Sequence, residues 1–323
     1  MNLTKEHYDY LDLAKGFGII LVVMGHTMFP LHQAIDVFHM PLFFFLSGLT
    51  LRQYDNVTIF VVKKINRVLI PYLFFSILLS IVNFFYPLLG GYDGPLWFLH
   101  CLFFTLVLGQ VLMKLKSIKW FIMGLCIVIT YVVNHYDLVL LPFNLDRVLR
   151  AIPYLYLGYT FANNDIKRKL LYKSNGIVSL FFSLFCCIYI LGLYFMIANG
   201  QILYGECFKY GEPFGKSVGL IYITSIAGIM TTILMSKLFN RIEIVNWLGR
   251  NSLVILCIHF PFTQYWNLFV SSTFMYSTGG GKILLGILSP IVIISFCIPF
   301  IFLFKKYIPK LTGYESLLKL KYE

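Results

Sequence analysis

Charged residues divide the chain into long apolar stretches separated by short charged segments. Ten stretches contain no Asp, Glu, Lys or Arg: 16–35, 37–51, 68–92, 94–113, 120–136, 151–164, 174–205, 217–236, 251–281 and 283–304. Crossing a hydrocarbon core takes roughly 17 to 25 helical residues, so 37–51 and 151–164 are short and are also compatible with re-entrant segments. The pattern predicts an all-α, polytopic membrane protein with about ten transmembrane helices.

The basic residues provide an independent test of this topology. If all ten stretches cross, 21 of the 26 Lys and Arg residues fall on one side. The other five fall on the opposite side: Arg147, Arg150, Lys209, Lys216 and Lys282. Because cytoplasmic loops are enriched in Lys and Arg, we predict that both the N and the C terminus are cytoplasmic. The whole chain, 1–323, is expected to form a single transmembrane domain.

Composition agrees with the membrane class and excludes others. Apolar residues make up 59% of the chain and charged residues 12%, which is outside the range of soluble globular proteins. Basic loops facing anionic lipid headgroups account for the net charge of +12, so no nucleic-acid partner is expected. The seven cysteines show neither zinc-ligand spacing nor a disulfide framework, and no metal is predicted. Pro30 lies near the end of the first stretch and Asp36 follows it, without a small-residue cleavage site, so that stretch is expected to be retained.

Four histidines lie in the apolar stretches, where a polar side chain is costly and therefore a functional candidate. They are His26 in the first stretch, His39 in the second, His100 in the fourth and His259 in the ninth. For any one of them, a hydrogen bond to a neighbouring helix is the alternative interpretation.

The spacing between Lys15 and His26 is the strongest signal among these. Eleven residues correspond to roughly 16 Å and three helical turns, so both side chains face one direction. Asp12, three residues before Lys15, can orient its ammonium group. A cation at the cytoplasmic mouth below a buried imidazole predicts an anionic substrate and a proton transfer by His26, whose unperturbed pKa of about 6.5 suits that work.

The depths of the other histidines follow from the same topology. We expect His39 and His100 to lie at about the depth of His26. His259 is expected nearer the cytoplasmic side, as a structural or supporting residue.

A basic segment precedes the third stretch. Lys64 and Arg67 are three residues apart, hence on one side if the segment is helical, and the Arg fork is suited to phosphate. Ordinary cytoplasmic charge is the alternative interpretation of this segment.

Taken together, six segments resemble the motifs of the membrane acyltransferase three family, which includes bacterial O-acetyltransferases that decorate surface polysaccharides. They are YLDLAKGFGIILVVMGH (10–26), FHMPLFFFLSGLTL (38–51), KINRVLIPY (64–72), GPLWFLHCLFF (94–104), RAIPYLYLGY (150–159) and LGRNSLVILCIHFP (248–261). The segments are most similar to the subgroup related to fucose O-acetylases. Lys15 and Lys64 stand where the family more commonly has Arg.

The resemblance implies transfer of an acyl group, usually acetyl, from cytoplasmic acetyl-CoA to a sugar hydroxyl at the outer face. The acceptor would be a cell-surface glycan or a lipid-linked sugar, the location a bacterial inner (plasma) membrane, and the acyl-CoA a co-substrate rather than a permanently bound cofactor. His26 would be catalytic, and Lys15, Lys64 and Arg67 would contact the phosphates of the coenzyme. His26 could deprotonate the acceptor or carry the acyl group as an acyl-imidazole, and both mechanisms stay open.

Supporting roles follow for several other side chains. The oxyanion that develops needs hydrogen-bond donors, and the candidates are Ser47, Trp97, His100 and Asn251.

Two outer arginines break the positive-inside pattern. They could hold an anionic acceptor or snorkel to the interface; both interpretations stay open for Arg150, and snorkelling is favoured for Arg147.

A transporter or flippase for a lipid-linked sugar or small solute is the main alternative. Buried histidines and a basic mouth also suit a proton-coupled carrier. Paired Gly- or Pro-broken helices at corresponding positions of two halves, which are typical of many carriers, are not found in the sequence. A structural or assembly subunit would explain the helices but would leave Lys15, His26 and His39 without a function. Binding of acyl-CoA would distinguish the enzyme from both the transporter and the subunit.

Overall fold

The computed structural model describes residues 3–82, 96–115, 119–135, 145–163, 175–198, 218–239, 242–273 and 278–318. Within these ranges every regular element is helical, which confirms the predicted all-α class. The loop at 199–216, the longest predicted outer connection, lies outside the described residues.

The elements are α1 (Leu3–Gly25), α2 (His32–Asp36), α3 (His39–Leu49), α4 (Val57–Lys64), a π-helical turn (Ile65–Leu69), α5 (Ile70–Val82), α6 (Trp97–Lys114), α7 (Lys119–His135), α8 (Leu145–Asn163), α9 (Asn175–Ala198), α10 (Val218–Leu238), α11 (Glu243–Arg250), α12 (Ser252–Ser271) and α13 (Gly279–Tyr307). The helices α4 and α5 are continuous through the π turn.

Six helices of the described part are long and apolar enough to cross a membrane: Val57–Ile81, Trp97–Lys114, Asn175–Ala198, Val218–Leu238, Ser252–Ser271 and Gly279–Tyr307. The protein is therefore a multi-pass membrane protein. The other predicted stretches differ from these six for identifiable reasons. Helix α1 carries charges in its first half, α3 has 11 residues, α7 is apolar over the shorter range Trp120–Val133, and α8 begins with a charged turn.

Helix α3 lies in the interior of the bundle. Of its residues only Ser47 is not buried, so the helix is enclosed by protein rather than by lipid. Two glycines allow it to approach α8 closely: a Cβ atom on Gly48 would overlap the carbonyl oxygen of Leu155, and one on Gly158 would overlap that of Phe45. Small residues at such crossings let helix backbones meet in membranes. Helix α9, by contrast, buries only three residues, which is expected of a lipid-facing helix.

Helix α1, which carries the candidate site, is held by a similar contact with α11. A Cβ atom on Gly249 would overlap the carbonyl oxygen of Asp12, and one on Gly16 would overlap that of Val245. The start of α12, directly after α11, therefore lies level with residues 12–16 of α1. Helix α1 also packs against α10, α12 and α13.

The segment after α13 is attached to two other parts of the bundle. The Asn66 side chain accepts hydrogen bonds from the backbone amides of Leu317 (2.9 Å) and Leu318 (2.8 Å). The Tyr314 hydroxyl donates to Asn251 Oδ1 at 2.6 Å. Gly313 has φ of 80°, in the left-handed region that favours glycine, where the segment turns. The C-terminal segment thus connects the π turn with the junction between α11 and α12.

The substitution Tyr314→Phe is expected to loosen this segment. Burial raises the pKa of Tyr314 to about 12, above the usual value of about 10, so the contact is fully present below pH 10 and is lost as the pH rises through 12. Removing the hydroxyl leaves Asn251 Oδ1 without its donor, at a cost of about 1 kcal/mol. Trypsin cleavage after Lys310 should therefore accelerate, whereas Tyr307→Phe, at a residue 66% exposed, should not change it. Equal cleavage of both variants would contradict this role.

Candidate active site

His26 lies where α1 ends. Its amide donates to the carbonyls of Val22 (3.3 Å) and Val23 (3.2 Å), which closes the last turn. The Asn267 side chain, on α12, donates to the carbonyl of His26 at 3.0 Å. The backbone of His26 is therefore fixed by bonds that do not use its imidazole. As a whole residue His26 is partly exposed, in contrast to the two imidazoles beside it.

Two further imidazoles flank His26. The His259 ring stacks on it with 5.4 Å between ring centroids, and the His39 ring meets it edge-on at 6.4 Å. Both are buried, with exposed fractions of 4% for His39 and 1% for His259. Within the described residues, no group of three or more His, Cys, Asp and Glu side chains is arranged to hold a metal ion.

The position of His39 agrees with the sequence analysis, whereas the expected depth of His259 is wrong. The expected depth of each histidine rests on its distance from the start of its apolar stretch. The contact between Gly249 and Asp12 instead sets the start of α12 level with residues 12–16 of α1. His259 lies seven residues after the start of α12, and His26 lies ten residues after Gly16 of α1. The remaining difference in height is small enough for the two side chains to meet.

Backbone carbonyls fix the tautomers of the two flanking rings. His259 Nδ1 is 3.0 Å from the carbonyl oxygen of Ile255 and 2.9 Å from that of Leu256, and His39 Nδ1 is 3.0 Å from that of Ile35. A carbonyl oxygen can only accept, so each neutral ring carries its proton on Nδ1 and its lone pair on Nε2. His26 is therefore flanked by two rings that can accept a proton at Nε2.

A buried carboxylate extends this group. Asp36, 4% exposed, lies with Oδ2 at 3.1 Å from His32 Nδ1 and with Oδ1 at 3.7 Å from His39 Nδ1. Gly25 leaves room for it, since a Cβ there would come within 3.0 Å of Asp36 Oδ1. No role is predicted for Asp36 or His32 from the sequence. Their spacing with His39, four and then three residues apart, is the signal that could have identified them.

In the middle of α1, about three turns before His26, the predicted pair of Asp12 and Lys15 is confirmed. Lys15 Nζ lies 3.4 Å from Asp12 Oδ1, and the side chains are 33% and 20% exposed. Lys64 ends α4, with its ammonium 5.2 Å from the centre of the Phe60 ring. Arg67 is exposed in the π turn that follows.

Contacts through the C-terminal segment connect these two basic turns. A Cβ on Gly313 would lie 3.3 Å from the carbonyl oxygen of Arg67, and the next residue, Tyr314, bonds Asn251 beside the contact of α11 with Asp12. Lys305 adds a further cation, 5.6 Å from the centre of the Tyr314 ring. A basic end is thus formed by Lys15, Lys64, Arg67 and Lys305, and α1 leads from it to His26.

The candidate oxyanion donors fall in different places. Asn251 has both side-chain atoms in use, since Oδ1 accepts from Tyr314 and Nδ2 donates to the carbonyl of Trp247 at 2.7 Å, which assigns it to the fold. Ser47 is the partly exposed residue of α3. The His100 ring packs edge-on against that of Tyr72 at 5.2 Å.

The outer arginines are buried rather than snorkelling. Arg147 and Arg150 are 2% and 4% exposed, because α8 begins at Leu145 and its first turns pack inside the bundle. The Arg147 guanidinium lies 4.6 Å from the centre of the Trp97 ring, and the Tyr222 hydroxyl donates to the carbonyl of Arg150 at 3.2 Å. The snorkelling interpretation favoured for Arg147 is therefore wrong. These residues form a second polar cluster, between α6 and α8.

The fold and site define a multi-pass helical membrane protein with a partly exposed histidine beside two buried ones. A family model described as an acyltransferase domain matches residues 8–306, nearly the whole chain. The protein belongs to this family of membrane acyltransferases, and all six motif segments fall inside the matched range. Neither a curated protein nor a solved structure matches the chain.

Proposed function

We propose that the protein is an O-acyltransferase that moves an acyl group, acetyl in the first instance, from cytoplasmic acyl-CoA to a hydroxyl of a cell-surface glycan or lipid-linked sugar. The observation that carries the proposal is the position of the His26 ring, which lies against the buried imidazoles of His39 and His259. His26 stands at the end of α1, the helix that leads to the basic end. An imidazole in such a position can act as base or nucleophile in acyl transfer.

The basic end supports an acyl-CoA as the donor. Lys15, Lys64 and Arg67 carry positive charge at one end of the bundle, and a coenzyme A molecule carries several phosphate charges. Lys in place of Arg keeps the charge but loses the two-pronged hydrogen bonding of a guanidinium group. Arg67 is therefore the residue best suited to bind phosphate with two hydrogen bonds.

The proposal includes the full predicted topology. Adding α1, α3, α7 and α8 to the six long apolar helices gives ten crossings. The distribution of 21 against five basic residues supports cytoplasmic N and C termini. The basic end then faces the cytoplasm and His26 lies towards the outer leaflet, in the plasma membrane of a bacterial cell.

The chemistry balances by either route. In direct transfer, His26 takes the proton of the acceptor hydroxyl while its oxygen attacks the acyl carbon, the carbon–sulfur bond breaks, and the thiolate of CoA gains a proton. In the alternative, His26 attacks the thioester carbon and the carbon–sulfur bond breaks, so that CoA leaves as a thiolate and gains a proton. The acceptor oxygen then attacks the acyl-imidazole, the carbon–nitrogen bond breaks, and the acceptor proton passes to the released imidazole. We assign Trp97, His100 and Arg150 to the acceptor side of this reaction and Ser47 to a supporting role.

The experiment measures transfer of radiolabelled acetyl from acetyl-CoA by the purified protein in liposomes. Arg67→Ala is expected to raise KM for acetyl-CoA by about 10- to 100-fold, because a charge-assisted hydrogen bond is lost, with a smaller change in kcat. Arg52→Ala, an exposed arginine in the connection before α4, is the matched control and should behave as the wild type. Absence of acyl-CoA binding by the wild type would overturn the proposal and favour a transporter.

A further inference from the structure

A row of neighbouring ionisable side chains runs from His26 to the surface, with a hydrogen bond at its outer step. From the inside outwards it consists of His26, His39, Asp36 and His32. The two middle members are buried, whereas the side chain of His32 is 42% exposed. The distances are 6.4 Å between the first two ring centroids, 3.7 Å from His39 Nδ1 to Asp36 Oδ1, and 3.1 Å from Asp36 Oδ2 to His32 Nδ1.

We propose that His39, Asp36 and His32 form a proton relay that carries the proton of the acceptor hydroxyl from His26 to the surface beside α2. The inference rests on the acyl transfer proposed above and adds three residues to it. None of the three touches the acyl group, so they act through His26.

The atoms along this row are arranged for stepwise transfer. The carbonyl of Ile35 keeps the His39 proton on Nδ1, so Nε2 carries the lone pair on the ring that meets His26 edge-on. When it does, the Nδ1 proton can pass to Asp36 Oδ1. Asp36 Oδ2 then faces His32 Nδ1, and His32 releases a proton to water from its other nitrogen. Each group gains one proton and loses one. The Asp36 carboxyl group rotates to bring its proton from Oδ1 to His32, and each imidazole is left in its other tautomer, so both rings turn over before the next cycle.

The relay completes the proton balance of the reaction. The acceptor loses one proton and the leaving thiolate gains one. With the relay, the proton of the acceptor leaves on the side of His32, and the proton that the thiolate gains is taken from water at the basic end. No further reactant is required.

The surroundings explain why Asp36 suits this role. A buried carboxylate is costly unless it is paired, and within the described part of the chain the ionic partners of Asp36 are two imidazoles. Neighbouring elements contribute His259 from α12, beside His26, and Tyr189 from α9, whose hydroxyl donates to the carbonyl of Ala34 at 2.5 Å. Imidazole partners allow the proton on this carboxylate to move, which a permanent cation would oppose.

Chemical rescue tests the relay. The rate of CoA thiol release from acetyl-CoA is measured with water or octyl glucoside as acceptor. His32→Ala is expected to lower this rate by about 10- to 100-fold, within the range of proton-transfer catalysis, and imidazole in the medium should restore at least part of it. Asp36→Asn should lower the rate similarly without rescue, because a buried position is closed to imidazole.

Two controls separate a relay from a structural role. The cation 1,3-dimethylimidazolium has the shape of imidazole but cannot carry a proton, so it should not rescue His32→Ala. Leu31→Ala, at a residue 62% exposed in the same turn, should keep the wild-type rate. An unchanged rate in His32→Ala, or rescue by both compounds, would overturn the relay. A wild-type protein that releases no thiol would instead overturn the proposed acyl transfer.

Discussion

Replacing His26 by alanine is expected to lower acetyl transfer by about 10²- to 10⁴-fold, the range that general acid–base catalysis contributes. The reason is that His26 is partly exposed, and that α1 places it about three turns from Lys15 of the basic end. The flanking rings of His39 and His259 are buried, so neither can take its place at the acceptor. The measurement is transfer of labelled acetyl by the variant and the wild type at equal amounts of folded protein.

The same variant should stay folded and inserted. The bonds that fix this turn use the backbone of His26, including the donation from Asn267, and alanine is the better helix former. His26→Gln, which keeps a polar side chain of similar length without a base, should be equally inactive. Aggregation of both variants during purification would identify His26 as a packing residue and contradict the prediction.

Much of the α1 part of the site could be predicted because it depends on spacing within one helix. The pairing of Asp12 with Lys15 follows from three-residue spacing, and the alignment of Lys15 with His26 from eleven. The helical class likewise follows from long charge-free stretches. These are local properties that the packing of the remaining helices does not alter.

Features that depend on contacts between helices could not be predicted in the same way. The depth of His259 relative to His26 follows from the close contact of Gly249 with the backbone of Asp12. The sequence of an apolar stretch does not show which of its glycines lies at a close contact between helices. The burial of Arg147 follows from α8 beginning before its apolar stretch and packing against Trp97. The C-terminal segment joins two basic turns through hydrogen bonds of Asn66, whose partners lie more than 250 residues away in the chain.

The largest expected effect on stability concerns the glycines between α3 and α8. Gly48→Ala adds one Cβ atom, and that atom would overlap the carbonyl oxygen of Leu155, which belongs to the backbone of α8. A flexible side chain could rotate away, but a helix backbone moves only with its whole element. The two helices would have to separate, and overpacking costs about 1 to 3 kcal/mol, with the upper end expected where a backbone has to move. We expect loss of most of the monodisperse protein in size-exclusion chromatography and a lower Tm.

The same substitution at Gly124 provides the matched control, with the opposite expected sign. Gly124 is exposed in α7, and a Cβ there has nothing within 4 Å. Gly124→Ala should therefore raise the stability by up to about 1 kcal/mol through helix propensity alone. Because both variants make the same chemical change inside a helix, a difference between them measures the contact between α3 and α8. Equal Tm values would show that the two helices can separate without cost, and that α3, which places His39 beside His26, is not held by this contact.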